Sequence, residues 1–121
     1  MQGPGILSVF WASPENVIGV SHAFQNNNGY EFKFPAGDEL LNKWVNFIYT
    51  HDGSVAKTYF NGELINSKNT TGTPILGSDL AIGRMNHPGF DAFNGNIDDF
   101  ALWGRALSAN EITKIYKGEK F

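Results

Sequence analysis

The sequence predicts an all-β, antiparallel sandwich or barrel that is closed by one short C-terminal helix. Segments rich in β-branched and aromatic residues recur along the 121 residues, and Gly or Asn turns separate them. Many short strands at this spacing indicate antiparallel pairing rather than βαβ units. The predicted strands cover residues 6–12, 16–24, 30–34, 43–51, 56–60, 63–66, 80–84 and 93–103.

Two turns join the central strands into a predicted three-strand meander over residues 43–66. Asn61-Gly62 separates two strand-like segments, and both residues tolerate the positive φ of a primed hairpin turn. Asp52-Gly53 provides the second hairpin signal. The strand at 43–51 carries apolar side chains on both of its faces, which predicts a sheet that is covered at least in part on both sides.

The predicted helix has clear signals at both ends. Ser108 and Glu111 have the spacing of a capping box, and Gly118 stands where a left-handed C-terminal cap belongs. The residues expected to pack the helix against the sandwich are Leu107 and Ile112, placed as a hydrophobic staple, with Ile115 and Tyr116.

Composition and charge exclude several functional classes. The net charge of −3 and the scattered Lys and Arg residues argue against nucleic-acid binding, which needs a clustered positive field. The absence of cysteine excludes disulfides, thiolate metal sites and cysteine nucleophiles. No apolar run is long enough for membrane insertion, and the first residues lack the pattern of a signal peptide.

Three stretches resemble the concanavalin A-like, laminin-G-like family. Residues 42–53 look like its GKWHHVAATYDG strand and turn, and residues 58–65 are similar to its LYVDGKLV hairpin. The third stretch, residues 80–84 and 93–116, resembles its LRIG…FKGRIDDVRIYNRALSAEEIAALY segment almost position for position. The resemblance implies an antiparallel jelly-roll β-sandwich with one short C-terminal helix, formed by a single domain over residues 1–121.

Modules of this family usually exceed 121 residues, so the chain is expected to lack the first strands of the fold. Missing strands would expose a sheet edge and part of the core. A homodimer would cover that edge, and a smaller variant in which residues 1–41 replace the strands would do the same. Both alternatives remain open at this point.

Catalytic patterns are absent from the sequence. The related glucanases carry a Glu-x-Asp-x-x-Glu strand that holds two carboxylates at the short spacing of a retaining glycosidase. No two glutamates in this chain lie four or five residues apart, so the motif is absent. His51 next to Asp52 is interpreted as exposed turn chemistry, and no Gly-x-Ser-x-Gly elbow accompanies the histidines. The chain is therefore expected not to be an enzyme, with glycoside hydrolysis as the remote alternative.

Asp98 is the candidate metal ligand. Strand alternation would direct Asp98 and Asp99 to opposite faces, so that one carboxylate points inward and needs a cation or several donors. The resemblance implies a structural Ca²⁺ at Asp98, since the related glucanases place a calcium-ligating aspartate there. The alternative is that one Asp pairs with Arg105 or accepts backbone N–H groups while the other is solvated.

The candidate ligand-binding residues lie on the loop between the last two predicted strands. They are Asn86, His87, Phe90 and Asp91, with Met85 beside them. Aromatic and apolar groups could support a sugar ring while amide and carboxylate groups bind its hydroxyls, and loops on a rigid scaffold commonly carry binding. The alternative is an ordinary turn with Phe90 packed on the sheet. Trp11, Trp44 and Trp103 are expected in the core.

The resemblance thus implies a recognition module of an extracellular or cell-surface protein, and the leading hypothesis is carbohydrate binding. The second hypothesis is a protein-interaction or adhesion module that uses a sheet face or edge. Neither role follows from the fold alone, because one fold hosts many functions.

Overall fold

The computed structural model describes residues 7–12, 17–22, 30–35, 42–69, 81–84 and 92–120, and within the first three of these ranges it describes the side chain of Val20. The elements are β1 (Leu7–Ala12), β2 (Val17–His22), β3 (Tyr30–Pro35), β4 (Phe47–His51), β5 (Val55–Phe60), β6 (Glu63–Asn69) and α1 (Ala109–Tyr116). The strands form two three-stranded antiparallel sheets, with the orders β1-β2-β3 and β4-β5-β6.

The predicted meander over residues 43–66 is confirmed as the β4-β5-β6 sheet. β4 begins at Phe47 rather than at residue 43, and β6 extends to Asn69. A register shift between Thr58 and Tyr59 marks an irregularity in the pairing of β5 with β6. The three predicted strands before residue 35 also have counterparts in β1, β2 and β3.

The predicted strands at 80–84 and 93–103 are wrong for the residues that the structure describes. Neither 81–84 nor 92–103 takes part in a β-ladder. Gly83 has a φ of +78° and Asp99 a φ of +52°, and extended backbone cannot continue through left-handed residues. The Asp98 carboxylate also accepts a hydrogen bond of 2.8 Å from the Asp99 N–H, so local side-chain bonding competes with strand pairing here.

The two predicted hairpin turns are confirmed. Asn61 and Gly62 have φ values of +50° and +82°, as a type I′ turn requires. Asn61 also holds the chain before β4, since its Oδ1 accepts from the Asn46 N–H at 2.9 Å and its N–H donates to the Asn46 carbonyl at 2.8 Å. In the other turn, Asp52 Oδ1 accepts N–H bonds from the two residues that lead into β5, Ser54 and Val55.

The two sheets meet at their central strands. Val20 of β2 and Ala56 of β5 are both fully buried in one cluster. Phe47 and Tyr49 of β4 pack against this cluster from the same face of the second sheet. A face-to-face contact between the middle strands is the arrangement of a β-sandwich.

The helix covers the opposite face of the second sheet, as the apolar pattern of β4 predicts. Ile112 of α1 is fully buried in a cluster with Tyr59 of β5 and with Leu107, the residue before the helix cap. Ile48 and Ile115 pack against this cluster. Full burial of an isoleucine side chain contributes about 1.5–3 kcal/mol, so packing rather than helix propensity stabilises this eight-residue helix.

Both predicted helix ends are confirmed. The Ser108 hydroxyl accepts from the Glu111 N–H at 3.2 Å, and the Glu111 carboxylate accepts from the Ser108 N–H at 2.8 Å, which completes the capping box. At the other end Gly118 has a φ of +73°, and the Glu119 N–H donates to the Lys114 carbonyl at 2.8 Å. This bond belongs to a Schellman motif.

The prediction that the tryptophans lie in the core is wrong for two of them. Trp44 is 69% exposed, and Trp103 is 43% exposed. Trp44 lies before the first residue of β4, so it is not part of the sheet and does not pack in the sandwich. The side chain of Trp11 lies outside the described residues.

Candidate functional site

The predicted ligand residues Asn86, His87, Phe90 and Asp91 lie outside the described residues, but both ends of their loop are described. The Phe93 N–H donates to the Gly83 carbonyl at 2.7 Å. This bond joins the chain entering the loop to the chain leaving it. The loop is therefore closed at its base by a backbone hydrogen bond.

The base of the loop has an apolar surface, which we call the neck and define by Ile82, Gly83, Phe93 and Ile97. Ile97 Cδ1 would lie 3.9 Å from a Cβ on Gly83, so the two sides of the neck are in van der Waals proximity. The side chains of Ile82, Phe93 and Ile97 are each about half exposed. Exposed apolar side chains beside a closed loop are a common feature of binding surfaces.

The Phe93 ring lies close to the backbone of Gly95. A Cβ on Gly95 would lie 2.8 Å from Phe93 Cε1 and 3.3 Å from its Cζ. A side chain at position 95 would therefore displace the ring from this position. The ring therefore rests on the backbone of residue 95 while about half of its surface remains open to solvent.

Polar side chains accompany this ring. Asn94 and Asn96 flank Gly95 and are exposed, and Arg84 is exposed on the other side of the neck. Each amide offers a carbonyl acceptor and two N–H donors. Sequence reasoning missed Phe93 as a site residue because residues 93–103 were interpreted as a strand. The Phe-Asn-Gly-Asn pattern was the available signal.

The inward carboxylate predicted at Asp98 or Asp99 is not observed. Both side chains are exposed, since the segment is not a strand and its side chains do not alternate between two faces. Asp98 satisfies a backbone N–H, which agrees with the alternative reading of a capping carboxylate. Across the described ranges, no group of three or more His, Cys, Asp or Glu residues could hold a metal ion. Calcium binding by Asp98 stays a prediction.

Arg105 binds Glu111 rather than either aspartate. Its two guanidinium N–H groups donate to the two carboxylate oxygens of Glu111 at 2.8 and 2.7 Å. These bonds, together with the Ser108 N–H, lower the pKa of Glu111 to about 2. The Glu111 carboxylate is thereby committed to the helix cap, and its role is structural.

His51 lies at the turn predicted for it, although it is half-buried rather than fully exposed. Its Nδ1 accepts from the Gly53 N–H at 3.1 Å, which requires the neutral imidazole. Burial lowers the pKa of His51, and the neighbouring Asp52 carboxylate opposes that shift. Backbone N–H groups of Ser54 and Val55 lower the pKa of Asp52. These contacts account for both residues as components of the turn.

The fold and the neck together define the class of this protein: an antiparallel β-sandwich that presents an aromatic ring beside a closed loop. The chain belongs to the concanavalin A-like lectin/glucanases superfamily, because residues 4–113 match its laminin-G-type family model. This membership confirms the family resemblance and the predicted concanavalin A-like fold class. Among curated proteins, none matches the sequence significantly.

A solved structure supports the same fold. The crystal structure of residues 221–444 of an S-layer domain-containing protein from Clostridium thermocellum ATCC 27405 is similar, with a TM-score of 0.58 and 22% sequence identity. The match covers 96% of this chain and 65% of that chain. At this identity the similarity establishes the shared fold. Within the described ranges, no helix has the length and apolar character needed to cross a bilayer.

Proposed function

We propose that the chain is a non-catalytic recognition module that binds carbohydrate in a cell-surface protein. The single observation that carries this proposal is the neck, where a half-exposed aromatic ring and two amides lie beside a loop that is closed at its base. Sugars combine an apolar ring face with hydroxyl groups, and a ring with neighbouring amides is complementary to both. Membership of a superfamily that includes lectins supports the same function.

The predicted loop residues complete the proposed site. Asn86 and Asp91 would bind sugar hydroxyls, while His87 and Phe90 would contact the ring. Because the bond between Phe93 and Gly83 fixes both ends of the loop, these side chains would be presented close to the neck. The rigid support comes from the sandwich, and the specificity comes from the loop.

A cell-surface location is supported by the structural similarity to an S-layer domain-containing protein. Such a module would serve as one part of a larger extracellular protein. A structural Ca²⁺ at Asp98 belongs to this proposal as well, supported by the family resemblance alone. If calcium binds, a chelator lowers the melting temperature, and an unchanged melting temperature counts against the ion.

The test is retention of the unmodified chain on affinity gels that contain soluble polysaccharides. A variant with Asn86→Ala and Asp91→Ala is expected to lose retention, whereas Asn110→Ala, an exposed amide on the helix, retains it. Failure of the unmodified chain to bind any polysaccharide would overturn the proposal. Hydrolysis of laminarin or xylan by the purified chain would overturn its non-catalytic part.

A second candidate function is protein interaction or adhesion, with a second copy of the chain as the partner. It is favoured by the exposed apolar side chains of Phe100, Leu102 and Trp103. Adjacent exposed apolar groups of this kind are typical of interaction surfaces. Sedimentation over a range of concentrations tests it: self-association that Leu102→Asp abolishes would support a homodimer, and a monomer at all concentrations would exclude one.

A further inference from the structure

We infer that Phe93, seated on Gly95, is the stacking platform for a neutral pyranose ring, and that Gly95 is the residue that positions it. This inference rests on the proposed carbohydrate-binding function and identifies a subsite outside the predicted loop. The subsite consists of the Phe93 ring, the Asn94 and Asn96 amides and the backbone of Gly95. None of these residues belongs to the loop at residues 85–91.

The platform is arranged before any ligand arrives. The Phe93 N–H is already bonded to the Gly83 carbonyl, which fixes the backbone from which the ring projects. A Cβ on Gly95 would lie 2.8 to 3.6 Å from Cε1, Cζ and Cδ1 of the ring, so the ring lies close to the backbone of residue 95. A ring that projects from a fixed backbone loses less conformational entropy on binding than one on a free segment, which favours affinity.

The surroundings of the ring favour a neutral sugar. The chain carries a net charge of −3, and Asp98 and Asp99 are exposed a few residues beyond the platform. A polyanionic glycan would be repelled by this field. The Asn94 and Asn96 amides can donate to and accept from hydroxyl groups without needing a charged partner. Arg84, exposed on the other side of the neck, would attract an acidic sugar, and the polygalacturonate arm of the experiment tests this.

Phe100 provides a matched control within the same segment. It is 50% exposed, against 49% for Phe93, so the two rings offer the same apolar surface to solvent. Phe100 follows Asp99 and is not one of the residues that define the neck. If any exposed aromatic ring were enough for binding, the sugar would contact both side chains. If the surroundings of Phe93 are required, it contacts Phe93 alone.

A matched pair of glycines tests whether the position of the Phe93 ring matters for binding. A methyl group on Gly95 would meet the Phe93 ring at 2.8 Å, but a methyl group on Gly104 would have nothing within 4 Å. Gly95→Ala should therefore displace the ring and leave its chemistry intact. Gly104→Ala introduces the same change in the same segment without touching the ring.

The experiment measures affinity electrophoresis of the whole chain in gels with laminarin, soluble starch or galactomannan, and with polygalacturonate as the acidic arm. Phe93→Ala is expected to weaken binding to the retained neutral polysaccharide by about tenfold, the loss that corresponds to one apolar face leaving contact. Phe93→Trp should bind at least as well as the unmodified chain. Gly95→Ala should weaken binding, while Phe100→Ala and Gly104→Ala should leave it unchanged.

The outcomes separate this inference from the function on which it rests. Binding of a neutral polysaccharide that persists in Phe93→Ala, or that falls equally in Phe100→Ala, would overturn the platform but leave carbohydrate binding standing. Retention by polygalacturonate alone would overturn the preference for a neutral sugar. Absence of binding by the unmodified chain in every gel would overturn both. Circular dichroism of each variant distinguishes lost binding from lost folding.

Discussion

The outer face of the β4-β5-β6 sheet and the segment 92–103 both carry large apolar side chains, but fully buried ones are found only on the first. Ile112 and Tyr59 are enclosed beneath the helix. By contrast, Phe100 and Leu102 are exposed in a segment that pairs with no strand among the described residues. Apolar content therefore does not decide burial in this chain. Helix α1, whose ends are fixed by hydrogen bonds, covers the first face, whereas the side chains of the segment 92–103 stay exposed.

The open segment is where the candidate site lies. A covered surface cannot contact a ligand, while a rigid sandwich with one exposed apolar segment offers both support and access. Phe93 of the neck lies in this segment. Its N–H donates to the Gly83 carbonyl, and its ring lies close to the backbone of Gly95. The helix-covered face therefore stabilises the chain, while the neck carries the proposed function.

The largest effect is expected where the covered face is broken. Ile112→Ala should lower the free energy of unfolding by about 2–5 kcal/mol, because it removes a fully buried side chain and leaves a cavity. Leu102→Ala, at a residue that is 71% exposed, should change it by less than about 0.5 kcal/mol. Urea denaturation of both variants checks this. Equal losses would show that residue 102 is packed and would end the comparison.

Those elements that the sequence predicted correctly depend on local chemistry. The Asn61-Gly62 turn, the Ser108–Glu111 box and the Gly118 cap are each set by residues within a few positions of one another. Neighbouring residues do not decide whether 93–103 forms a strand, because a strand exists only if a distant segment pairs with it. The bond between Asp98 and Asp99 and the positive φ of Asp99 leave no sign in the alternation of apolar residues.

The candidate site shows the same limit. Asn86 and His87 are predicted as site residues because aromatic and polar groups occur together in their loop. The bond that brings Phe93 to Gly83 joins residues on either side of that loop, and no periodicity indicates it. Phe93 and Gly95 are close in sequence, yet their proximity indicates a binding site only if the segment is not a strand. Membership of the superfamily was predictable because it depends on sequence similarity alone.

A smaller effect is expected at the turn that the helix contacts. Gly62 and Gly53 both have positive φ, so an alanine at either position should cost about 1–2 kcal/mol of stability. A Cβ on Gly62 would in addition lie 2.9 Å from Tyr116 Cδ1, whereas nothing lies within 4 Å of one on Gly53. Gly62→Ala should therefore destabilise the chain more than Gly53→Ala, as thermal unfolding would show.

Tyr116→Ala supplies the control for this difference. In that background the contact with residue 62 is gone, and the two glycine substitutions should cost the same amount of stability. If Gly62→Ala remains the more damaging change without the tyrosine, the helix does not press on the turn. The covered face would then end before the β5–β6 hairpin.

The smallest effect is expected from the pH dependence of the helix cap. Arg105 and the Ser108 N–H bind the Glu111 carboxylate and lower its pKa from 4.5 to about 2. The unfolded chain therefore takes up the proton first as the pH falls, so the contribution of Glu111 to stability is complete above pH 4.5 and is lost as the pH falls through about 2. Urea denaturation between these values measures the loss.

Glu111→Gln isolates this contribution from the other acidic groups. Glutamine keeps the capping geometry but has no charge for Arg105 and no titration. The stability difference between the unmodified chain and Glu111→Gln should favour the unmodified chain above pH 4.5 and shrink toward pH 2. Asp52→Asn should show its own acid-dependent difference, because backbone N–H groups at a separate turn lower the pKa of Asp52. A difference for Glu111→Gln that does not change with pH would mean that Arg105 holds the loop by geometry rather than by charge.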